Sequence, residues 1–264
     1  MNIEVEKFLS ENPNVKNIVV NQYFGLGDIL FIEPIYRYLN DLGLKVIAPI
    51  QDQYLWIQDH IGYVDFRGIS EFDMDYERFD FGILKTLSGE EVPDTAYLPL
   101  RFSDQIYRDL RPHDSSASRY WMTDKYSVLG LSYNLWKNIS LDRNLEKEDE
   151  LKSIVLKDLE GSEYDFCNSF YQNTLNINLD LENKVKKEVP VISMTKIDGY
   201  TMVDWSGVIE GAKRVHTVST SLLYMIQTIH NEDKEYHLYP RLPERGFYTV
   251  EEFLPSYWIK HPAE

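Results

Sequence analysis

Residues 17–49 read NIVVNQYFGLGDILFIEPIYRYLNDLGLKVIAP, and the fold is decided there. The stretch opens on a short β-branched run, Asn17 to Gln22, and turns at Gly25-Leu26-Gly27-Asp28. Ile29, Leu30, Ile35, Tyr38, Leu39 and Leu42 then recur at roughly helical spacing, and Gly43 is the expected C-cap. Pro34 either kinks this helix or marks where its regular part begins. Leu44 to Pro49 returns to a strand pattern. Strand, helix and strand within about thirty residues are the signature of a parallel sheet covered by helices. A weaker strand at Phe79 to Lys85 would extend the same sheet.

Working outward, the chain has 264 residues, enough for one large domain or two small ones. Hydrophobic residues make up 43% and aromatic residues 14%, which supports a real core and argues against disorder. Nineteen Tyr against twelve Phe predicts many rings at lobe surfaces or lining a cleft, because Tyr keeps a polar handle. Twenty-seven basic and 43 acidic side chains leave a formal charge of −16, which repels nucleic acid and anionic membrane. The densest basic groups are Lys184, Lys186 and Lys187, and the spread Arg101, Arg108 and Arg111. Neither is dense enough to predict a nucleic-acid surface. One cysteine, Cys167, excludes an internal disulfide and reads as a small buried hydrophobe. The first ten residues carry Glu4 and Glu6 without an apolar core, so no signal peptide is expected. No apolar run reaches the ~20 residues that span a bilayer, and a cytoplasmic protein, in a host cell if viral, is expected.

Residues 86–125 are rich in Asp, Ser, Pro and Arg and show no clean period, so loops or irregular helices are expected. Asn144 to Glu160 reads as a charged helix ending at Gly161, with Leu145, Leu151, Ile154, Val155 and Leu159 on or near one face. A second α/β stretch follows, with strands at Tyr164 to Ser169, Val189 to Met194, Arg214 to Val218 and Tyr236 to Tyr239. Helices are expected at Val203 to Ala212 and Thr220 to His230, and a tail helix over 251–264. The predicted class is α/β, with two Rossmann-like lobes on parallel sheets, 1–135 and 136–250.

Two constellations could carry chemistry. Gly25 and Gly27, after a strand, permit a tight turn with positive φ and close approach of a ligand. The helix beginning there presents free N–H groups, and Asp28 stands at the carboxyl edge of the sheet, where open α/β folds bind ligands. As a helix cap, Asp28 would need no ligand. A full G-x-G-x-x-G is absent, because Leu30 takes the third glycine's place. In Arg214 to Ile226 a strand runs into Ser219, Thr220 and Ser221, hydroxyls that could cap the next helix or hold a diphosphate. His216 inside that strand is a core histidine or a contact to a nucleotide, and Glu210 a solvated acid or a ribose contact. Asp73-Met74-Asp75 is a D-x-D triplet, a metal-binding signature. With 43 acids it is expected by chance, and the histidines show no zinc spacing. No metal site and no cofactor are expected.

GLGDILFIEPIYRYL (25–39) resembles the amino-terminal motif of the heptosyltransferase-type (family 9) glycosyltransferases, and VIEGAKRVHTVSTSLLYMI (208–226) resembles the carboxyl-lobe motif of the same class and of its short bacterial and viral relatives. The two blocks cover 34 residues, in the family's order. The resemblance implies a GT-B fold and an inverting, metal-independent transferase. The first lobe would hold a glycan or other hydroxyl acceptor, and the second a nucleotide-sugar donor, a substrate rather than a cofactor. Asp28 falls on the family's general base, and Ser219, Thr220 and Ser221 on its diphosphate loop, with Arg241 as the candidate for neutralising the leaving diphosphate. Ser219 stands where the family has Asp, Ser221 where it has Gly, and Tyr224 where a His often follows. A viral enzyme acting on hydroxymethylated DNA bases is the alternative, disfavoured by the charge. A non-catalytic nucleotide-sugar-binding module is the third reading.

Overall fold

The computed structural model describes residues 3–22, 25–74, 78, 80–100, 121–159, 161–169, 181, 185, 188–240, 250 and 253–262. The chain separates into two compact units, Met1–Asp142 and Arg143–Glu264, a boundary at 142 rather than the expected 135.

In the first unit, helix α1 (Val5–Glu11) leads into β1 (Asn17–Asn21). Ile18, Val19 and Val20 are fully buried, as expected where a parallel sheet is covered on both faces. The predicted helix is two: α2 (Leu26–Phe31) and α3 (Glu33–Asp41) meet at Ile32, with Pro34 in the first turn of α3. Pro34 has no N–H for the carbonyl four residues back, so it marks a start, not a kink within one helix. Gly43, at φ +83°, ends α3 in the left-handed conformation that glycine adopts freely. β2 (Lys45–Ile50), β3 (Val64–Gly68), β4 (Gly82–Lys85) and β5 (Glu91–Pro99) complete a sheet of order β3-β2-β1-β5-β4. Every pairing in it is parallel except β4 with β5, whose register shifts between Ile83 and Leu84.

The expectation of loops or irregular helices over 86–125 is overturned at its two described ends. β5 pairs with β1 from Asn17↔Thr95 to Asn21↔Pro99, in the middle of the sheet, and Trp121–Ser127 is helix α4. Only Thr95–Pro99 of that strand is buried; its exposed first half, with Glu91, Pro93 and Asp94, hides the apolar run. Tyr36, Tyr97, Tyr126 and Tyr236 are core residues rather than surface rings.

The second unit begins with α5 (Leu145–Val155), whose first turn is capped by Asn144 Oδ1 accepting from Lys147 N at 3.1 Å. Its apolar face is not the expected one. Leu151 is buried, but Leu145 and Ile154 are exposed, and Glu148 is buried, neutralised by Arg143. β6 (Asp165–Asn168), β7 (Val191–Ser193), β8 (Arg214–Val218), β9 (Glu235–Tyr239) and β10 (Trp258–Lys260) form a second sheet, all parallel, in the order β10-β9-β8-β6-β7. Helices α6 (Ser206–Gly211) and α7 (Leu222–Ile229) flank β8 in sequence. The expected tail helix over 251–264 is a strand at Trp258–Lys260: Pro255 cannot donate within a helix, and β9 offers an open ladder.

Candidate active site

Strand order reverses beside the first strand of each sheet, between β1 and β5 and between β6 and β8, and open α/β sheets bind ligands outside such points. At the first, Gly25 precedes α2 with φ −42° and Gly27 lies inside the helix, so neither adopts the positive φ expected of the turn. Asp28 is not the cap. It is the third residue of α2, its N–H donating to the Gly25 carbonyl at 2.9 Å, and Gly25 at the cap position receives no side-chain bond. The Asp28 carboxylate is about a quarter exposed, and its Oδ1 accepts from Lys125 Nζ at 2.5 Å.

Lys125 carries the main new information. Its side chain is fully buried, and Met122 Sδ lies 3.5 Å from Nζ. Burial pulls its pKa below the ordinary lysine value, while the Asp28 charge pulls it back up. Beside it, Tyr126 donates its hydroxyl to the Phe31 carbonyl at 2.5 Å and meets the Phe31 ring edge-on at 5.3 Å, which fixes α4 against α2. Tyr36 is buried close enough to feel Asp28; burial first, and then that charge, push its phenol upward. A lone Lys in WMTDKYS gives no sequence signal, since its partner lies 97 residues away.

At the second switch point, Ser219 N–H donates to the Tyr239 carbonyl at 3.0 Å, seating the hydroxyl turn on β9. Asn168, at the end of β6, donates Nδ2 to Thr217 Oγ1 at 3.0 Å and to Thr220 Oγ1 at 3.5 Å. Ser221 Oγ lies 3.6 Å from Met202 Sδ, and although Ser221 precedes α7 its side chain makes no capping bond. The structure therefore brings Ser219, Thr220 and Ser221 together with Asn168 and Thr217, which the sequence reading missed. An Asn at a strand end was the only available signal, since Asn is disfavoured within strands.

The remaining predicted residues scatter. Glu210 binds Arg143 through both carboxylate oxygens at 2.7 Å, and Arg143 also holds Glu148. Those bonds hold the Glu210 carboxyl below its ordinary value and raise the Arg143 guanidinium. His216 is buried in β8, stacked on His237 at 4.4 Å, and burial takes its pKa down to about 3. Arg241, the lysines at 184, 186 and 187, the arginines at 101, 108 and 111, and Asp75 of the D-x-D triplet lie outside the described residues. Among the described residues no group of three or more His, Cys, Asp or Glu could hold a metal ion, and no helix is long and apolar enough to cross a membrane.

No family model and no curated protein matches the chain. Among solved structures it is similar to the glycosyl transferase family 9 from Veillonella parvula DSM 2008, with a TM-score of 0.50 and 10% identity over 94% of this chain and 86% of that one. It is also similar to the iron-containing dodecameric glycosyltransferase TibC from enterotoxigenic E. coli H10407, with a TM-score of 0.49 and 10% identity over 93% of this chain. The chain spans 62% of the length of TibC. The likeness to the Veillonella structure is one of fold: two α/β units on parallel sheets, of the GT-B type.

Proposed function

We propose that the chain is an inverting, metal-independent glycosyltransferase that moves a sugar from a nucleotide-sugar donor to a hydroxyl acceptor. The observation that supports it best is Asp28, an acid at the first switch point held by a fully buried lysine. In this reading Asp28 takes the proton of the acceptor hydroxyl as that oxygen attacks the anomeric carbon. The bond from that carbon to the nucleotide diphosphate breaks, and the diphosphate leaves with the electron pair. Lys125 is a positioning residue: it fixes Oδ1 and leaves Oδ2 for the acceptor. Gly25 and Gly27 present no side chain where the acceptor would approach.

The donor diphosphate is assigned to the hydroxyls of Ser219, Thr220 and Ser221 and to the amino end of α7, an eight-residue helix whose dipole favours negative charge. Arg241 would neutralise the departing diphosphate; the burial of His216 and its stacking on His237 count against its facing the nucleotide. The Arg143 bonds of Glu210 count against its contacting a ribose. A glycan or other small hydroxyl compound is the acceptor class, in a cytoplasmic setting; the formal charge of −16 counts against duplex DNA.

A thermal-shift panel of nucleotide sugars identifies the donor, because a ligand that binds only the folded chain raises its melting temperature. With that donor, Asp28→Asn is expected to abolish transfer and to keep most of the shift. Transfer at the wild-type rate in Asp28→Asn removes Asp28 from the mechanism. Absence of a shift with every nucleotide sugar removes the donor assignment.

A further inference from the structure

Outside the proposed site, three histidines and a tyrosine gather where β10 joins the second sheet. β10 is short: Trp258↔Tyr236, Ile259↔His237 and Lys260↔Leu238 are its register, and His261 N–H adds a bond to the Leu238 carbonyl at 2.9 Å. His216 and His237, register partners on β8 and β9, stack at 4.4 Å with planes 7° apart. His237 Nδ1 stands 2.9 Å from His261 Nε2, and the His261 ring lies flat on Tyr239 at 4.3 Å. His216 Nδ1 lies 3.3 Å from the Tyr239 hydroxyl, while its Nε2 is buried without a hydrogen-bond partner.

Two imidazole nitrogens at this separation share one proton: one ring donates and the other accepts. A first added proton can be held, because protonated His237 can donate Nδ1–H to His261 and Nε2–H toward Glu235, whose Oε2 is 3.4 Å away. A second turns the acceptor into a donor and sets two N–H groups and two positive charges face to face. The other groups around the rings do not relieve this. On β8 and β6, Arg214 and Asp165 neutralise each other, and Glu188 completes Arg214. Cys167 on β6 is buried, and Lys260 on β10 adds only positive charge. Burial already holds all three histidines below their ordinary value, so none takes up a proton without cost in the closed form.

We propose that His237 and His261 form an acid-operated latch, which fastens β10 to the sheet while they share one proton and releases it when both rings are protonated. The latch reaches the hydroxyl turn through Tyr239, whose ring carries His261 and whose carbonyl holds Ser219 N–H. Loss of donor affinity in acid is therefore expected, a consequence that rests on the diphosphate assignment above; the latch itself does not.

Amide hydrogen exchange on the intact chain between pH 7.5 and 5.0, corrected for the intrinsic rate, tests the latch without any donor. Peptides covering 253–262 are expected to lose protection as the pH falls while those covering β6 and β8 keep theirs. His261→Phe, which can still stack on Tyr239 but binds no proton, is expected to keep β10 protected at pH 5.0. Equal protection of wild-type 253–262 at both pH values overturns the proposal, as does the wild-type loss persisting in His261→Phe. If that variant does not fold, imidazole NMR of the wild type decides. Two successive titrations, the second coinciding with loss of the β10 amide signals, support the latch; full titration of both rings with β10 intact overturns it.

Discussion

At the scale of single residues, the Asp28–Lys125 pair is asymmetric, and its variants should be too. Lys125 is wholly buried while Asp28 touches solvent. Asp28→Ala therefore takes the carboxylate away from a buried ammonium, and a loss of about 3 kcal/mol is expected in urea denaturation. Lys125→Met removes the buried charge and leaves a carboxylate that water can reach. It is expected to cost less than half as much stability while slowing transfer, with kcat falling more than KM rises. If Lys125→Met is as unstable as Asp28→Ala, the burial argument is wrong. His216 sets a second residue-scale expectation. Its folded pKa, about 3, lies below the value of 6.5 for a free histidine, so the folded form disfavours the proton. Its contribution is complete above pH 6.5 and declines as the pH falls from there toward 3, by about 1.4 kcal/mol per unit. Replacing it with Gln should flatten that part of the stability–pH curve. A His216→Gln curve as steep as the wild-type one would show that other groups cause the acid loss.

At the scale of elements, the one glycine of the carboxyl-lobe motif, Gly211, has a packing reason that sequence spacing did not reveal. A Cβ on Gly211 would stand in close conflict with Tyr164 Oη, the atom that donates to the Val208 carbonyl at 2.7 Å. Gly211→Ala should break that bond and shift α6, at a cost of about 1–3 kcal/mol read from the denaturation midpoint. An unchanged midpoint would mean that Tyr164 moves freely. The strand–turn–helix at 17–49 and the strand at Arg214–Val218 were legible because their apolar runs are uninterrupted, and a parallel strand buried on both faces needs such a run. β5 was not legible, because Pro93 and Asp94 break its first half and its buried half is only a few residues long. Asp28 and the hydroxyl turn were legible as positions. Lys125 and Asn168 were not, because their meaning depends on partners 97 and 49 residues away.

At the scale of the whole molecule, a formal charge of −16 implies self-repulsion that dissolved salt screens. The melting temperature is expected to rise between about 10 and 150 mM sodium chloride, where the screening length falls from ~30 to ~8 Å. A flat response would show that the acids are already locally neutralised, as Asp65 is by Arg67 and Lys45, whose contacts take its pKa down to about 2. Duplex DNA should not be retarded by the chain at low salt; a shifted band there would revive the DNA acceptor.

The brevity of β10 has a consequence for association between chains. A sheet edge is a row of unsatisfied donors and acceptors, and a short outer strand offers a poor template for another molecule. With β10 in place the outer strand is three residues long; without it, the five residues of β9 become the edge. Ile259→Pro, which cannot donate to the ladder, should therefore turn a quiet solution into one that scatters light, through strand-to-strand aggregation seeded at β9.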